Sequence, residues 1–276
     1  MLKHVRIILI VLFCLSLAGA SGLYFYVYTH EDTSPPAFRS DSELLELSVT
    51  DPEQAMLRGL RAYDNVDGDL TGKIRIRDVS PLINERDVTV SYIVFDEASN
   101  YATYSRTVRY VDYESPTFRL LQPLVFRAGE PISFTSTVAV TDQRDGDITG
   151  RLKLEESAVI SSTPGSYAAK FSATNRMGDT VYLPVTVQIV SNSASMPEIK
   201  LTDYLIYISQ GERPVFRRYL REVVDPLLPE KHISLSSVAI NSTKLDVNTP
   251  GVYEVYYYYT GSSGETTTVI LTVIVK

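Results

Sequence analysis

Two acidic segments carry the residues whose types and spacing suggest chemistry. Asp64, Asp67 and Asp69 lie in Asp-Asn-Val-Asp-Gly-Asp-Leu-Thr, residues 64–71, and Asp142, Asp145 and Asp147 in Asp-Gln-Arg-Asp-Gly-Asp-Ile-Thr, residues 142–149. Each segment places three carboxylates within six residues around a glycine. Hard oxygen ligands of this sort suit Ca2+, which takes roughly six to eight of them. The spacing is not that of an EF-hand, because glycine stands at position 5 rather than 6 and no glutamate stands at position 12. The same residue types also build a turn, in which aspartate side chains accept backbone N–H groups and glycine takes a positive φ. The two readings, Ca2+ ligands and structural turn, both stand at this stage.

Little else points to reaction chemistry. His4, His30 and His232 are the only histidines, and His232 lies in a polar loop with no serine or cysteine motif around it. The chain has no Cys-His set for zinc and no glycine-rich phosphate loop. A glycosidase pair of carboxylates needs a cleft, and small modules have little volume to form one. No catalytic residue and no enzyme activity are expected. Binding is more open. In the segment 253–259, Tyr253, Val255, Tyr257 and Tyr259 alternate with Tyr256 and Tyr258. If the first set faces a core, Tyr256 and Tyr258 face outward and offer aromatic contact area to a protein or glycan partner. The competing reading packs that face on the preceding module or on a neighbouring strand.

The elements that position these residues come in a repeat. The two aspartate segments are 78 residues apart, and Pro36-Ala37-Phe38-Arg39, Pro116-Thr117-Phe118-Arg119 and Pro197-Glu198-Ile199-Lys200 recur at 80 and 81. Fixed-period similarity means one structural unit repeated. Thr163-Pro164-Gly165-Ser166-Tyr167 returns as Thr249-Pro250-Gly251-Val252-Tyr253, a turn leading into a strand. Period-2 patterns then align as Val88, Val90, Tyr92, Val94, then Tyr167, Ala169, Phe171, Ala173, then Tyr253, Val255, Tyr257, Tyr259. Each pattern reaches a turn, at residues 96–100, 175–179 and 261–265, and a second strand follows, over residues 105–111, 182–190 and 266–275. Short alternating strands with regular turns argue for antiparallel sandwiches. Helix is minor, with one or two turns over residues 51–57 and another over residues 214–224. The expected organisation is an N-terminal segment over residues 1–30 and modules over 36–112, 116–191 and 197–276. Asp225-Pro226-Leu227-Leu228 replaces the Asp-Gly-Asp segment in the third module.

The N-terminus bears on location. Lys3 and Arg6 precede an uncharged run over residues 7–28, with Tyr24, Tyr26 and Tyr28 near its far end and His30, Glu31 and Asp32 after it. A run of 22 residues at about 1.5 Å each matches the hydrocarbon thickness of a bilayer. Basic residues before and acidic residues after place the N-terminus in the cytoplasm and the rest outside, as a single-pass anchor in the cell membrane. The competing reading is a signal peptide cleaved after Ala18-Gly19-Ala20. Without Lys3 and Arg6, 24 basic residues face 33 acidic ones, a balance that excludes nucleic acid, whose binding rests on Lys and Arg. Cys14 is the only cysteine, so no intramolecular disulfide forms.

Residues 36–111 and 116–190 resemble the bacterial Ig-like domain of the pesticidal-crystal-protein type. The resemblance rests on the proline-led first strand, Asp64–Thr71 and Asp142–Thr149, Thr163–Tyr167, and the turns ending at Asn100 and Asp179. Ser99 stands where that pattern has glycine, the first module lacks the Thr-Pro-Gly turn, and the third keeps only Thr249–Tyr253 and the final strands. The resemblance implies Ig-like sandwiches on a bacterial surface protein, used as spacer or adhesive module, with no catalysis. The sequence reading is therefore an all-β protein. It has three tandem Ig-like antiparallel β-sandwich domains after a single N-terminal transmembrane helix. They serve as stalk and interaction surface for a protein or cell-wall glycan, with no cofactor beyond Ca2+. The alternative function is a wall- or glycan-binding accessory working with a separate enzyme.

Overall fold

A computed structural model describes residues 2–230 and 232–276, and all side chains of these except those of residues 2, 3 and 27–30. The side chains of Lys3, Tyr28 and His30, part of the topology reading, lie outside the described residues. The protein is mostly β. Among the described residues, helix α1 (Leu2–His30) precedes twenty short strands. Its stretch His4–Tyr26 has a mean hydropathy of 2.3 and is long and apolar enough to cross a membrane. None of it is covered by protein: Ile7, Leu12, Phe13 and Leu17 are all more than half exposed.

The strands fall into three sets. The first holds β1 (Ala37–Ser40), β2 (Leu44–Leu47), β3 (Leu60–Asp64), β4 (Gly68–Asp69), β5 (Arg75–Val79), β6 (Asp87–Phe95) and β7 (Tyr101–Tyr110). They form two sheets, ordered β1-β3-β4 and β2-β7-β6-β5. The second set repeats this with β8 (Thr117–Leu120), β9 (Val125–Arg127), β10 (Val138–Asp142), β11 (Gly146–Asp147), β12 (Lys153–Ser157), β13 (Gly165–Thr174) and β14 (Thr180–Val190). Its sheets run β11-β10-β8 and β12-β13-β14-β9. The third has β15 (Glu198–Leu201), β16 (Leu205–Ile208), β17 (Leu220–Val224), β18 (Ala239–Asn241), β19 (Gly251–Thr260) and β20 (Thr266–Val275). Its sheets are β15-β17 and β16-β20-β19-β18. All pairs are antiparallel except one edge pair in each set, where β2 runs parallel to β7, β9 to β14 and β16 to β20.

The alternating residues fill the cores. Val88, Val90, Tyr92 and Val94 are fully buried, as are Phe171 and Ala173 in the second set and Val255 and Tyr257 in the third. A side-chain period of two along a strand puts every second residue on the inner face. Of the two short helices expected, residues 51–57 supply a 3-10 turn at Glu53–Leu57. The other is corrected: only Phe216–Tyr219 is helical, and Leu220–Val224 is strand β17. The reason is pairing. Val224 and Val223 sit opposite Glu198 and Ile199 of β15, the place β3 and β10 hold against β1 and β8.

The chain divides into two compact units, Met1–Val111 and Asp112–Lys276. The second unit contains two sandwiches, each with its own core, and β16 contributes to both. Leu205 of β16 is buried among Phe118, Leu120 and Val140, and Tyr204 and Tyr207 pack beside it. The Tyr207 hydroxyl accepts from the Phe118 N–H at 2.8 Å and lies 3.3 Å from the Phe118 carbonyl, to which it donates. Glu254 Oε1 and Oε2 accept from the backbone N–H and hydroxyl of Thr186 at 2.9 and 3.1 Å.

Candidate functional site

The aspartate segments sit at one corner of each module, where the inner strand of the small sheet ends. Asp64 closes β3, and its Oδ1 accepts the N–H groups of Val66 and Asp67 at 2.8 and 3.0 Å. Those bonds, the Asp67 one first, hold its carboxyl below the ordinary value, so it is ionised at neutral pH. Gly68, at φ +75°, then reverses the chain into β4. Asp67 turns away to accept the Glu97 N–H at 2.7 Å, and Asp69 Oδ1 accepts the Thr71 N–H at 2.9 Å. The second module repeats each step. Asp142 accepts from Arg144 and Asp145, Gly146 has φ +72°, Asp145 accepts from Arg176 and Arg151, and Asp147 accepts from Thr149. The threonine ending each segment holds the corner to its strand, Thr71 Oγ1 accepting the Ala62 N–H and Thr149 Oγ1 the Val140 N–H. Each triplet thus sends its three carboxylates to three different backbone sites.

Each corner also receives the closing hairpin turn and the segment leading into the module. In all three modules the turn is closed by the same backbone bond: Asp96 N–H to Asn100 O, Asn175 N–H to Asp179 O, and Gly261 N–H to Glu265 O. The side chains brought together differ.

In the second module they satisfy one another. Asn175 Nδ2 donates to Asp142 Oδ2 at 2.9 Å and to the Tyr113 hydroxyl at 2.8 Å, and that hydroxyl donates to Asp179 Oδ2 at 2.8 Å. Burial and the Asp179 carboxylate push the Tyr113 phenol well up, so it keeps the proton it donates. In the third module, Asp225 Oδ2 accepts from the N–H and hydroxyl of Ser262 at 2.7 and 2.8 Å. Glu265 Oε2 takes the hydroxyls of Ser193 and Ser195 at 2.9 and 2.7 Å, which lowers its carboxyl, Ser195 contributing most.

The first module is different. Asp32, Asp64 and Asp96 each bring one carboxylate oxygen to a common point, all within 4.8 Å of one another. Asp64 is 1% exposed and Asp96 7%. Asp32 Oδ1 accepts the Ser34 N–H at 3.0 Å, while Asp32 Oδ2 and Asp64 Oδ2 are buried with no hydrogen-bond partner. The amide of Asn100 donates to Asp96 Oδ2 and to the Asp32 carbonyl, both at 2.9 Å, and its N–H reaches Asp96 Oδ1 at 2.7 Å. Nothing donates to the second oxygen of Asp64, where the second module has the Asn175 amide.

Of the residues singled out from sequence, only Asp64 belongs to this cluster. Asp32 and Asp96 lie outside both aspartate segments. The signal was present in the repeat, since Asp32 and Asp112 both stand four residues before the module's first proline, and Asp96 aligns with Asn175 at the hairpin turn.

The other candidate patch is partly covered. Tyr256 and Tyr258 stack with ring centroids 6.1 Å apart and planes 8° apart, and both are half-buried. The Tyr256 hydroxyl donates to Glu254 Oε2 at 2.6 Å, and burial, then Glu254, pushes it up to about 12. With Pro184, Thr186, Lys244 and Tyr253, Tyr256 lines a groove of about 430 Å3 inside the second unit. His232 is exposed.

No protein-family profile matches the chain. The pesticidal crystal protein Cry22Aa of Bacillus thuringiensis is 27% identical over 154 residues, covering 53% of this chain and 21% of that protein. The chain therefore spans about a fifth of the length of that relative. Among solved structures, Drosophila N-cadherin EC1-3 overlaps at 15% identity and a TM-score of 0.31, covering 84% of this chain and 97% of that one. The M60 catalytic domain with CBM51-1 and CBM51-2 of Clostridium perfringens ZmpB overlaps at 14% identity and a TM-score of 0.25, covering 87% and 30%. The lipoprotein BT2262 of Bacteroides thetaiotaomicron overlaps at 14% identity and a TM-score of 0.24, covering 57% and 98%.

Proposed function

We propose that this chain is a non-catalytic extracytoplasmic protein. Helix α1 holds it in the cell membrane, with the N-terminus in the cytoplasm, and its Ig-like modules act as stalk and interaction surface. The observation that carries this reading is the uncovered apolar surface of His4–Tyr26, directly ahead of repeated β-sandwiches. A helix that is apolar all round and packed against nothing is stable only in an apolar surrounding. The identity to Cry22Aa supports reading the modules as the bacterial Ig-like type.

Fractionation of intact cells tests the location. The full chain stays in the membrane pellet through alkaline extraction and is cut beyond residue 30 by protease added outside. Recovery from the medium of a chain beginning near residue 21 would refute the anchor and support the signal peptide.

The partner is a protein or a cell-wall glycan, and the Tyr256 groove is where it is met. The half-buried Tyr256–Tyr258 stack, with Glu254 and Lys244 lining the groove beside Tyr256, suits a ligand with both apolar faces and hydroxyls. Pull-down with purified wall glycan or with surface proteins, repeated with the Tyr256→Ser/Tyr258→Ser variant, separates the two. Binding that the variant leaves unaltered removes this groove as the contact.

A further inference from the structure

We propose that Asp32, Asp64 and Asp96 bind one calcium ion, which ties the segment leading out of α1 to the corner of the first module. Asp32 lies two residues beyond the end of the helix, Asp64 at the end of β3, and Asp96 at the turn after β6. Three carboxylates converging on one point repel one another, and two of their oxygens are buried with no donor. A buried ionised oxygen left bare is costly, and a divalent cation at the common point removes both costs.

The ligand chemistry favours calcium, because a cage of protein carboxylates suits Ca2+ whereas Mg2+ usually keeps several of its waters. Oxygens on opposite sides of a Ca2+ ion are about 4.8 Å apart, twice a typical Ca–O distance, whereas Mg2+ demands a tighter octahedron near 4.2 Å across. The three ligand oxygens all lie within 4.8 Å of one another, a spread that one Ca2+ ion spans. The other two corners serve as internal controls. The same closing hairpin turn faces Asp142 and Asp225, yet an amide and a phenol occupy the point in one and serine donors occupy it in the other. Where a donor is present, no cation is needed. Asn100 holds Asp96 and the Asp32 backbone in place, so it positions two of the three ligands.

Thermal unfolding of the full chain in detergent, with calcium, with magnesium and with chelator, tests the site. At a calcium concentration about ten times Kd, the midpoint of the first unit rises by roughly 5–10 °C over its value in chelator, and magnesium at that concentration does less. Asp64→Asn and Asp32→Asn keep the oxygen that accepts backbone N–H groups, remove the ligand charge, and abolish the rise. In chelator, Asp64→Asn unfolds no lower than the parent chain, because it no longer buries a bare charged oxygen. No calcium-dependent rise in the parent chain overturns the proposal, as does a rise that survives both variants. Should either variant fail to fold, the parent chain alone decides the matter by equilibrium dialysis and hydrogen exchange. One calcium bound per chain, with slowed exchange around residues 32–34 and 96–100 and none around 175–179, supports the site. No bound calcium, or unchanged exchange at residues 32–34, overturns it.

Discussion

The corner at Asp64 and the corner at Asp142 share a backbone and differ in what stands opposite one buried oxygen. In both, Oδ1 takes two N–H groups of the following turn. At Asp142 the second oxygen meets the Asn175 amide, while at Asp64 it meets two further carboxylates. The difference teaches that the repeated Asp-x-x-Asp-Gly-Asp motif specifies only half of its first carboxylate. The turn needs Oδ1; Oδ2 is free to be satisfied in whatever way the neighbouring segments supply.

The sharpest way to break this comparison is to strip the second corner of its donor. Asn175→Ala leaves Asp142 Oδ2 buried and bare, as Asp64 Oδ2 is, and removes a partner of Tyr113. Denaturant unfolding should show the second unit less stable by about 2–3 kcal/mol, since a lost bond to a buried charged acceptor costs that much. A loss within experimental error would mean that the bare oxygen at Asp64 is no burden either.

Acid separates the modules next. In the first, Asp87 is 5% exposed and bound by Arg109 at 2.7 and 2.9 Å, and the Arg109 guanidinium, then Asn84, holds its carboxyl at about 2. Ser166 and Gln188 occupy the same register in the second module. A depressed folded pKa contributes stability above the unfolded value near 3.8 and loses it as pH falls toward 2. Acid titration should therefore cost the parent chain roughly 1 kcal/mol more than Asp87→Asn between those limits, the partly exposed Arg109 tempering the effect. Parallel curves would show that the pair contributes nothing.

The smallest effect concerns the turn itself. Ser99 has φ +73°, and among the described residues it is the one non-glycine residue with a positive φ; Gly178 and Gly264 hold the same place in the other modules at +79° and +81°. Ser99→Gly should raise the stability of the first unit by about 0.5–1 kcal/mol by relieving that strain. A decrease would mean that the serine supports the carboxylate corner in a way the other turns do not need.

Much of the fold was readable because strand alternation is a local signal. Val88, Val90, Tyr92 and Val94, and the span 266–275 of the last strand, follow from period two and turn residues alone. The parallel edge strands β2, β9 and β16 were not readable, being three or four residues long with partners at the far end of the module. Leu220–Val224 is a strand rather than the expected helix because of its pairing with β15, which lies outside its own sequence. The carboxylate cluster hid for the same reason. Asp32, Asp64 and Asp96 each sit in a different element and meet only through the closed sandwich. Within the loop of residues 64–69, each carboxylate accepts backbone N–H groups.

The parallel edge pairing has a mechanical side. Tension drawn from the start of a module to its end pulls β2 and β7 in opposite directions along their common axis. All four of their aligned pairs are then loaded together, as they are in β16 and β20, with three such pairs in β9 and β14. A ladder sheared in this way must yield as a block, whereas an antiparallel pair pulled open from one end unzips bond by bond. Each module is thus built to resist stretching between its ends far better than peeling from its side.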